Sequence, residues 1–144
     1  MEATEIAGEV LIVEDNHTDV GLIREALREH GLTYRIVHAR DGDAAISILN
    51  EIELNAARCC PAVMLLDWKL PRKSGAQVLR HVRSLKKCGP LPVIVVSACD
   101  LTEERELLAN CGVCECFRKP MNLDEFLRIG ELVRRVVNAG EPIR

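Results

Sequence analysis

The chain has 144 residues, 48% of them hydrophobic and 28% charged, a balance that suits one folded domain and excludes both a disordered chain and a coiled coil. A formal net charge of −3, with one Trp, one Tyr and two Phe, removes both the electrostatic footprint and the stacking platforms of a nucleic-acid binder. Met1 to Gly8 carries acidic and small residues without the basic and apolar regions of a signal peptide, and no apolar run reaches membrane-spanning length. A cytoplasmic location is therefore expected, with no membrane partner and with the seven cysteines as reduced thiols.

Apolar runs of strand length alternate with segments of helical period, the pattern of a parallel sheet covered by helices on both faces. Val10-Leu11-Ile12-Val13 reads as the first strand. Leu22, Ile23, Ala26 and Leu27 share one face of a helix that Gly31 stops. The more polar run Tyr34 to Ala39 suits an edge strand. Asp41 and Gly42 read as a turn before a second helix bearing Ala45, Ile46, Ile48 and Leu49, and Asn55 to Pro61 is a long connection. Val63 to Leu66 and Val93 to Val96 are continuous and aliphatic, as strands buried on both faces should be. Between them Ser74 to Ser84 forms a third helix. Thr102 to Asn110 forms a fourth, with Thr102 as its expected capping residue and Glu103 and Glu104 as first-turn acids. Cys114 to Arg118 is the fifth strand, and Leu123, Phe126, Leu127, Gly130 and Val133 mark one last helix ending near Gly140. The reading is one α/β domain over residues 9–139 with short tails at 1–8 and 140–144: a doubly wound, five-stranded parallel sheet.

In open α/β sheets ligands bind beyond the carboxyl ends of the strands, so the residues that terminate each run locate the chemistry. The first strand ends in Glu14-Asp15, the third in Asp67, the fourth in Ser97, and the fifth runs into Lys119-Pro120. Three carboxylates on one rim repel one another unless a cation is present. Magnesium suits them, because it takes oxygen ligands and bridges carboxylate to phosphate. Lys119 can neutralise further negative charge and Ser97 can donate to a phosphoryl oxygen, which is most of what phosphoryl transfer to a carboxylate nucleophile requires.

Val10 to Asn16, Leu65-Leu66-Asp67-Trp68-Lys69-Leu70-Pro71 with Gly75, Val95-Val96-Ser97-Ala98 and Arg118-Lys119-Pro120 together resemble the receiver domains of two-component response regulators, over roughly residues 8 to 137. The Asn16-His17-Thr18-Asp19 opening, the long segment before Cys60-Pro61 and the lack of an effector further resemble small stand-alone regulators paired with phytochrome-type kinases. The resemblance implies the flavodoxin-like receiver fold and a phosphoacceptor at Asp67. It also implies magnesium held by Glu14, Asp15, Asp67 and the backbone carbonyl of Lys69, with Ser97 and Lys119 on the phosphoryl group and Ala98 kept small. The implied donor is a phosphohistidine on a sensor histidine kinase, of phytochrome type by the narrower likeness, or on a phosphotransfer protein. The implied output is contact with a downstream protein, or passage of the phosphoryl group onward as a phosphorelay intermediate. Such a domain is a switch that hydrolyses its own acyl phosphate, not an enzyme acting on other substrates. By the same analogy, the face of the fourth and fifth helices is the expected surface for a homodimer.

The chain departs from the family pattern three residues before Lys119, where many receivers carry a Tyr or Phe and this sequence has Cys116; alternation turns the neighbouring Phe117 to the opposite side. Lys69 should hang over the phosphoryl entrance. Cys111, Cys114 and Cys116 invite a metal reading, but they lack a fourth ligand and alternation separates them, so buried apolar thiols explain them more simply. Three rival functions remain. A magnesium-dependent phosphatase with an aspartyl nucleophile commonly has a second acid two residues on, where this chain has Lys69. A nucleotide-binding module needs a Gly-rich loop that does not follow the first strand. An interaction domain with a defunct pocket would have no use for both Asp67 and Lys119.

Overall fold

Strands and helices alternate along the whole described chain in a computed structural model that describes residues 8–139. The expected tails, Gly8 apart, lie outside the described residues. The elements are β1 (Glu9–Val13), α1 (His17–Glu29), β2 (Arg35–Ala39), α2 (Gly42–Leu54), β3 (Val63–Asp67), α3 (Gly75–Arg83), β4 (Val93–Ser97), a 3-10 turn (Thr102–Glu104) leading into α4 (Arg105–Asn110), β5 (Glu115–Arg118), α5 (Leu123–Phe126) and α6 (Ile129–Ala139). The five strands form one sheet in the order β2-β1-β3-β4-β5, with every pair parallel. The chain reverses its winding direction at β1, so the crevice between the ends of β1 and β3 is the place where such a sheet opens to a ligand.

Period-2 alternation divides the buried side chains between two layers. Leu11, Val13, Met64, Leu66, Val93 and Val95 face Leu49, Ile52, Val78, Leu79, Val82 and Leu108 of α2, α3 and α4. Val10, Ile12, Val63, Leu65, Ile94 and Val96 face Ile23, Ala26, Leu27, Ile129 and Val133 of α1 and α6. The three inner strands are thus apolar on both sides, as their uninterrupted sequences require, and β2 and β5 form the edges. Gly130 lets α6 approach α1 closely: a Cβ there would stand 2.5 Å from the Ala26 carbonyl oxygen.

Local structure departs from expectation at three helix ends. Asp41-Gly42 is not a free turn. Asp41 is the N-cap of α2, its Oδ1 accepting the Ala44 N–H at 2.7 Å, and Gly42 is already helical. Glycine is required there because a Cβ would lie 2.2 Å from the Lys73 carbonyl oxygen. Thr102 does not cap the fourth helix. Its hydroxyl and N–H both donate to Asp100 Oδ1, at 2.6 and 3.0 Å, so the aspartate organises a tight turn and the first residues wind as 3-10. The last helix is broken into α5 and α6, where Arg128 and Gly130 donate to carbonyls three residues back.

Two of the seven cysteines are not free thiols. Cys60, before β3, and Cys88, before β4, are joined by a disulfide with their Cα atoms 5.7 Å apart. The loops are brought into register by polar contacts as well. The Glu53 carboxylate accepts the N–H groups of Lys87 at 2.6 Å and Cys88 at 3.0 Å. The Lys87 ammonium donates to the carbonyls of Ile52 and Asn55 at 2.9 and 2.8 Å and to that of Arg58, placing a cation at the negative end of α2. Cys114 and Cys116 are exposed and Cys111 half-buried, so the last three cysteines are not the buried apolar fillers expected of them. Among the described residues they form no metal-binding group.

Candidate functional site

Parallel register aligns the carboxyl ends of the inner strands, Val13 beside Leu66 and Asp67 beside Val96, and so gathers the polar residues that follow. Glu14 leaves β1 only 2% exposed. Its backbone is pinned by its N–H to the Ala39 carbonyl at 3.0 Å and by a hydrogen bond between its own carbonyl and His38 Nε2 at 2.7 Å. Its Oε2 accepts the Asn16 N–H at 3.2 Å, and Asn16 in turn caps α1 through the Asp19 N–H at 3.1 Å. Asp15 is exposed and Asp67 is 6% exposed. Glu14, Asp15 and Asp67 each turn one carboxylate oxygen to a common point, all within 4.8 Å of one another. That hard-oxygen donor set fits a divalent cation.

Lys119 reaches this cluster from the edge strand. Its backbone N–H donates to the Ser97 carbonyl at 2.7 Å, and its side chain then passes toward β1. The ammonium lies 2.8 Å from Glu14 Oε1, 2.7 Å from Asp19 Oδ2 and 3.8 Å from Asp67 Oδ2. Burial pushes the Glu14 carboxyl up to about 7; Lys119 opposes the rise, and a hydrogen bond to Asp67 together with that residue's charge adds to it. Burial likewise raises Asp67, opposed by its hydrogen bond with Glu14 and by the charge of Lys119. Burial works against the charge of Lys119, yet hydrogen bonds to Asp19 and Glu14 hold its ammonium above the ordinary lysine range. Without a bound cation, then, the pocket is a crowded set of acids held together by one ammonium.

Ser97 is buried at the end of β4, its Oγ accepting the Cys99 N–H at 3.0 Å. Lys69 is exposed; its N–H points to Asp67 Oδ1 at 3.4 Å and its ammonium donates to Cys99 Sγ at 3.3 Å, so the side chain spans the gap between the β3 and β4 loops. Cys116 and Phe117 point to opposite sides of β5, as alternation requires. Phe117 packs edge-on against Phe126 with ring centroids 5.8 Å apart. On the other side, Cys116 helps line an open recess of about 130 Å³ with Ser97, Asp100 and Leu101.

Glu14, Asp15, Asp67, Ser97 and Lys119 are therefore all brought to one rim. Two features escaped the sequence reading. In the sequence Asp19 is only part of the Asn16–Asp19 opening and is given no role, and only its place four residues after Asp15 could have hinted that it faces the pocket. The Cys60–Cys88 pair is separated by 28 residues and carries no spacing signal.

The chain belongs to the response regulator receiver domain family, whose sequence pattern matches residues 10–130. It is the receiver domain of a two-component response regulator. It is 30% identical over 125 residues to the probable methanogenesis regulatory protein FilR2 of Methanothrix harundinacea, covering 87% of this chain and 80% of that one. It spans about half, 54%, of the length of some other curated relatives it matches. Its fold is similar to that of the phosphorylated cyanobacterial phytochrome response regulator RcpA, with a TM-score of 0.81 and 28% identity over 93% of this chain and 96% of that one. It is also similar to the receiver domain of the sensor histidine kinase PA1611 from Pseudomonas aeruginosa PAO1, a structure with a magnesium ion in the active-site cleft. There the TM-score is 0.70 and the identity 26%, over 91% of this chain and 98% of that one. Among the described residues, no helix is long and apolar enough to cross a membrane.

Proposed function

We propose that residues 9–139 act as a phosphorylation switch in which Asp67 accepts a phosphoryl group from a phosphohistidine donor, with magnesium held by Glu14, Asp15, Asp67 and the Lys69 carbonyl. The observation that carries this reading is the convergence of three carboxylates within 4.8 Å beside the Lys119 ammonium. A bound magnesium would supply positive charge that relieves the carboxylate repulsion and offsets the charge of the incoming phosphoryl group.

The chain's own residues do the rest. An Asp67 oxygen forms the new bond to phosphorus as the phosphorus–nitrogen bond of the donor breaks, and the imidazole keeps that electron pair. Ser97, fixed at the end of β4, can turn its hydroxyl to donate to a phosphoryl oxygen, and Lys119 supplies an ammonium to another. Ala98 leaves room above the site. Water attack on the acyl phosphate returns Asp67 to its free form, which makes the domain self-resetting.

The donor inferred from the likeness to a phytochrome response regulator is a sensor histidine kinase, in a cytoplasmic setting. Output runs through a downstream protein or onward phosphotransfer. The surface proposed for a homodimer is the face of the fourth and fifth helices, here α4 and α5–α6; on its β5 and α6 side, Arg118, Leu132 and Arg135 line a cavity of about 300 Å³. A phosphatase acting on external substrates is disfavoured by Lys69, whose ammonium lies beside Cys99 where such an enzyme would need an acid.

Incubation with a phosphorylated histidine kinase or acetyl phosphate, with magnesium, should add one base-labile phosphoryl group that Asp67→Asn abolishes. Undiminished labelling of Asp67→Asn, or labelling indifferent to chelation of magnesium, would overturn the assignment.

A further inference from the structure

Lys119 must cross from the edge strand β5 over β4 to reach the acidic pocket, so the end point of its long, flexible side chain is set by whichever anions receive it. Three carboxylates do so, and they are not equivalent. The contacts to Asp19 and Glu14, 2.7 and 2.8 Å, are short ion pairs, whereas Asp67 stands off at 3.8 Å. Glu14 and Asp67 belong to the group that converges on one cation position, and Asp19 does not. A divalent cation therefore takes charge from two of the three partners of Lys119 and leaves the third untouched. Asp19 is itself held in place: it sits in the first turn of α1, its N–H bound to the Asn16 cap, with its side chain 18% exposed.

From this geometry we infer that Asp19 is a positioning residue for the phosphoryl site, a counter-carboxylate that retains the Lys119 ammonium until a phosphoryl group on Asp67 draws it away. The inference rests on the phosphoacceptor reading of Asp67 and adds a residue to it. An ammonium held between Asp19 and Glu14 must give up a short ion pair before it can contact a phosphoryl oxygen. Asp19 thus weakens the bound state of the phosphoryl group and quickens its loss. A partly buried ion pair of this kind is worth up to about fivefold in an equilibrium.

The test uses beryllofluoride, which stands in for the phosphoryl group on an aspartate, titrated at saturating magnesium against the unaltered protein, Asp19→Asn and Asp19→Glu. Asp19→Asn should bind the adduct about fivefold more tightly and release a phosphoryl group correspondingly more slowly. Asp19→Glu, which keeps the charge, should stay close to the unaltered protein. In a Lys119→Met background, Asp19→Asn should produce no tightening, because the two groups act through one contact. A purely structural role for Asp19 predicts loss of stability without that charge-dependent pattern. Unchanged or weaker binding by Asp19→Asn, or equal tightening in the Lys119→Met background, would overturn the inference while leaving Asp67 as acceptor. An unaltered protein with no Asp67-dependent adduct would overturn both.

Discussion

Glu14 and Asp67 bury their carboxyl groups side by side at the ends of β1 and β3, and Lys119 neutralises them unequally, 2.8 Å from one and 3.8 Å from the other. Both carboxyls titrate above their ordinary values because burial penalises their charged forms, and Asp67 adds to the rise at Glu14. A pocket that costs stability when empty gains correspondingly when a cation enters it.

The first prediction concerns that cost. A carboxyl whose folded value is raised binds its proton more tightly in the folded state, so it subtracts from stability as pH climbs above its unfolded value of 3.8. Asp67→Asn removes the group at nearly constant volume. Urea unfolding of the metal-free protein should show the variant equal to the unaltered protein below that pH and more stable at pH 8. A variant less stable at pH 8 would mean that the Asp67 charge is needed to hold Lys119 in place.

A second prediction follows from Glu14, which is pushed up to about 7. Cation binding requires its carboxylate form. Magnesium should therefore bind more weakly as pH falls below about 7, and binding near that pH should release a proton. Calorimetry in buffers of different ionisation enthalpy measures the release directly, and Glu14→Gln should eliminate most of it. A binding heat independent of buffer would place the raised carboxyl elsewhere.

Much of the fold was legible because three strands are buried on both faces and must be written as unbroken aliphatic runs, such as Val93 to Val96. The rim was legible for a related reason: Glu14, Asp67 and Ser97 interrupt those runs abruptly, and parallel register brings interruptions together. Features that depend on which surfaces meet were not. The break between α5 and α6 is invisible to a 3.6-residue period, because Leu127 and Gly130 keep the apolar phase through a single tightened turn. Position 42 must be glycine because the Lys73 backbone approaches it, and no local pattern announces that contact. Asp19 took on its partner only when β5 delivered Lys119 from a position one hundred residues later in the chain.

The third prediction tests the Cys60–Cys88 bridge, which closes a separation of 28 residues. In the chain-entropy picture a loop of that length contributes about 3.6 kcal/mol by restricting the unfolded chain. Reduction, or the double substitution Cys60→Ser with Cys88→Ser, should lower stability by roughly 3 kcal/mol. The contacts of Glu53 and Lys87 should keep the folded loops in place, so magnesium affinity at the opposite end of the sheet should stay the same. Identical urea midpoints with and without reductant would show that the bridge does not form in solution.

The fourth prediction uses Trp68, the one tryptophan of the chain, as a reporter. The residue directly follows Asp67, its N–H donates to the Val96 carbonyl at 3.0 Å, and its side chain is nearly buried in the layer facing α2 and α3. The indole is also clamped by Gly75, where an added Cβ would come within 2.8 Å of the ring carbon Cε3. A ring so confined cannot easily reorient, so a change in its emission reports a change in local field. Magnesium brings two positive charges to the Asp67 carboxylate, and beryllofluoride then returns negative charge at the same place. Titrating the two in order should give two saturable steps in emission. Asp67→Asn should lose the second step, since the adduct needs the carboxylate, and should retain a weakened first step through Glu14 and Asp15. Gly75→Ala serves as the control for confinement: its added Cβ should push the ring out of place and alter the emission before any ligand is added. A second step that persisted in Asp67→Asn would show that beryllofluoride binds away from this aspartate, and the site would have to be redrawn around another carboxylate.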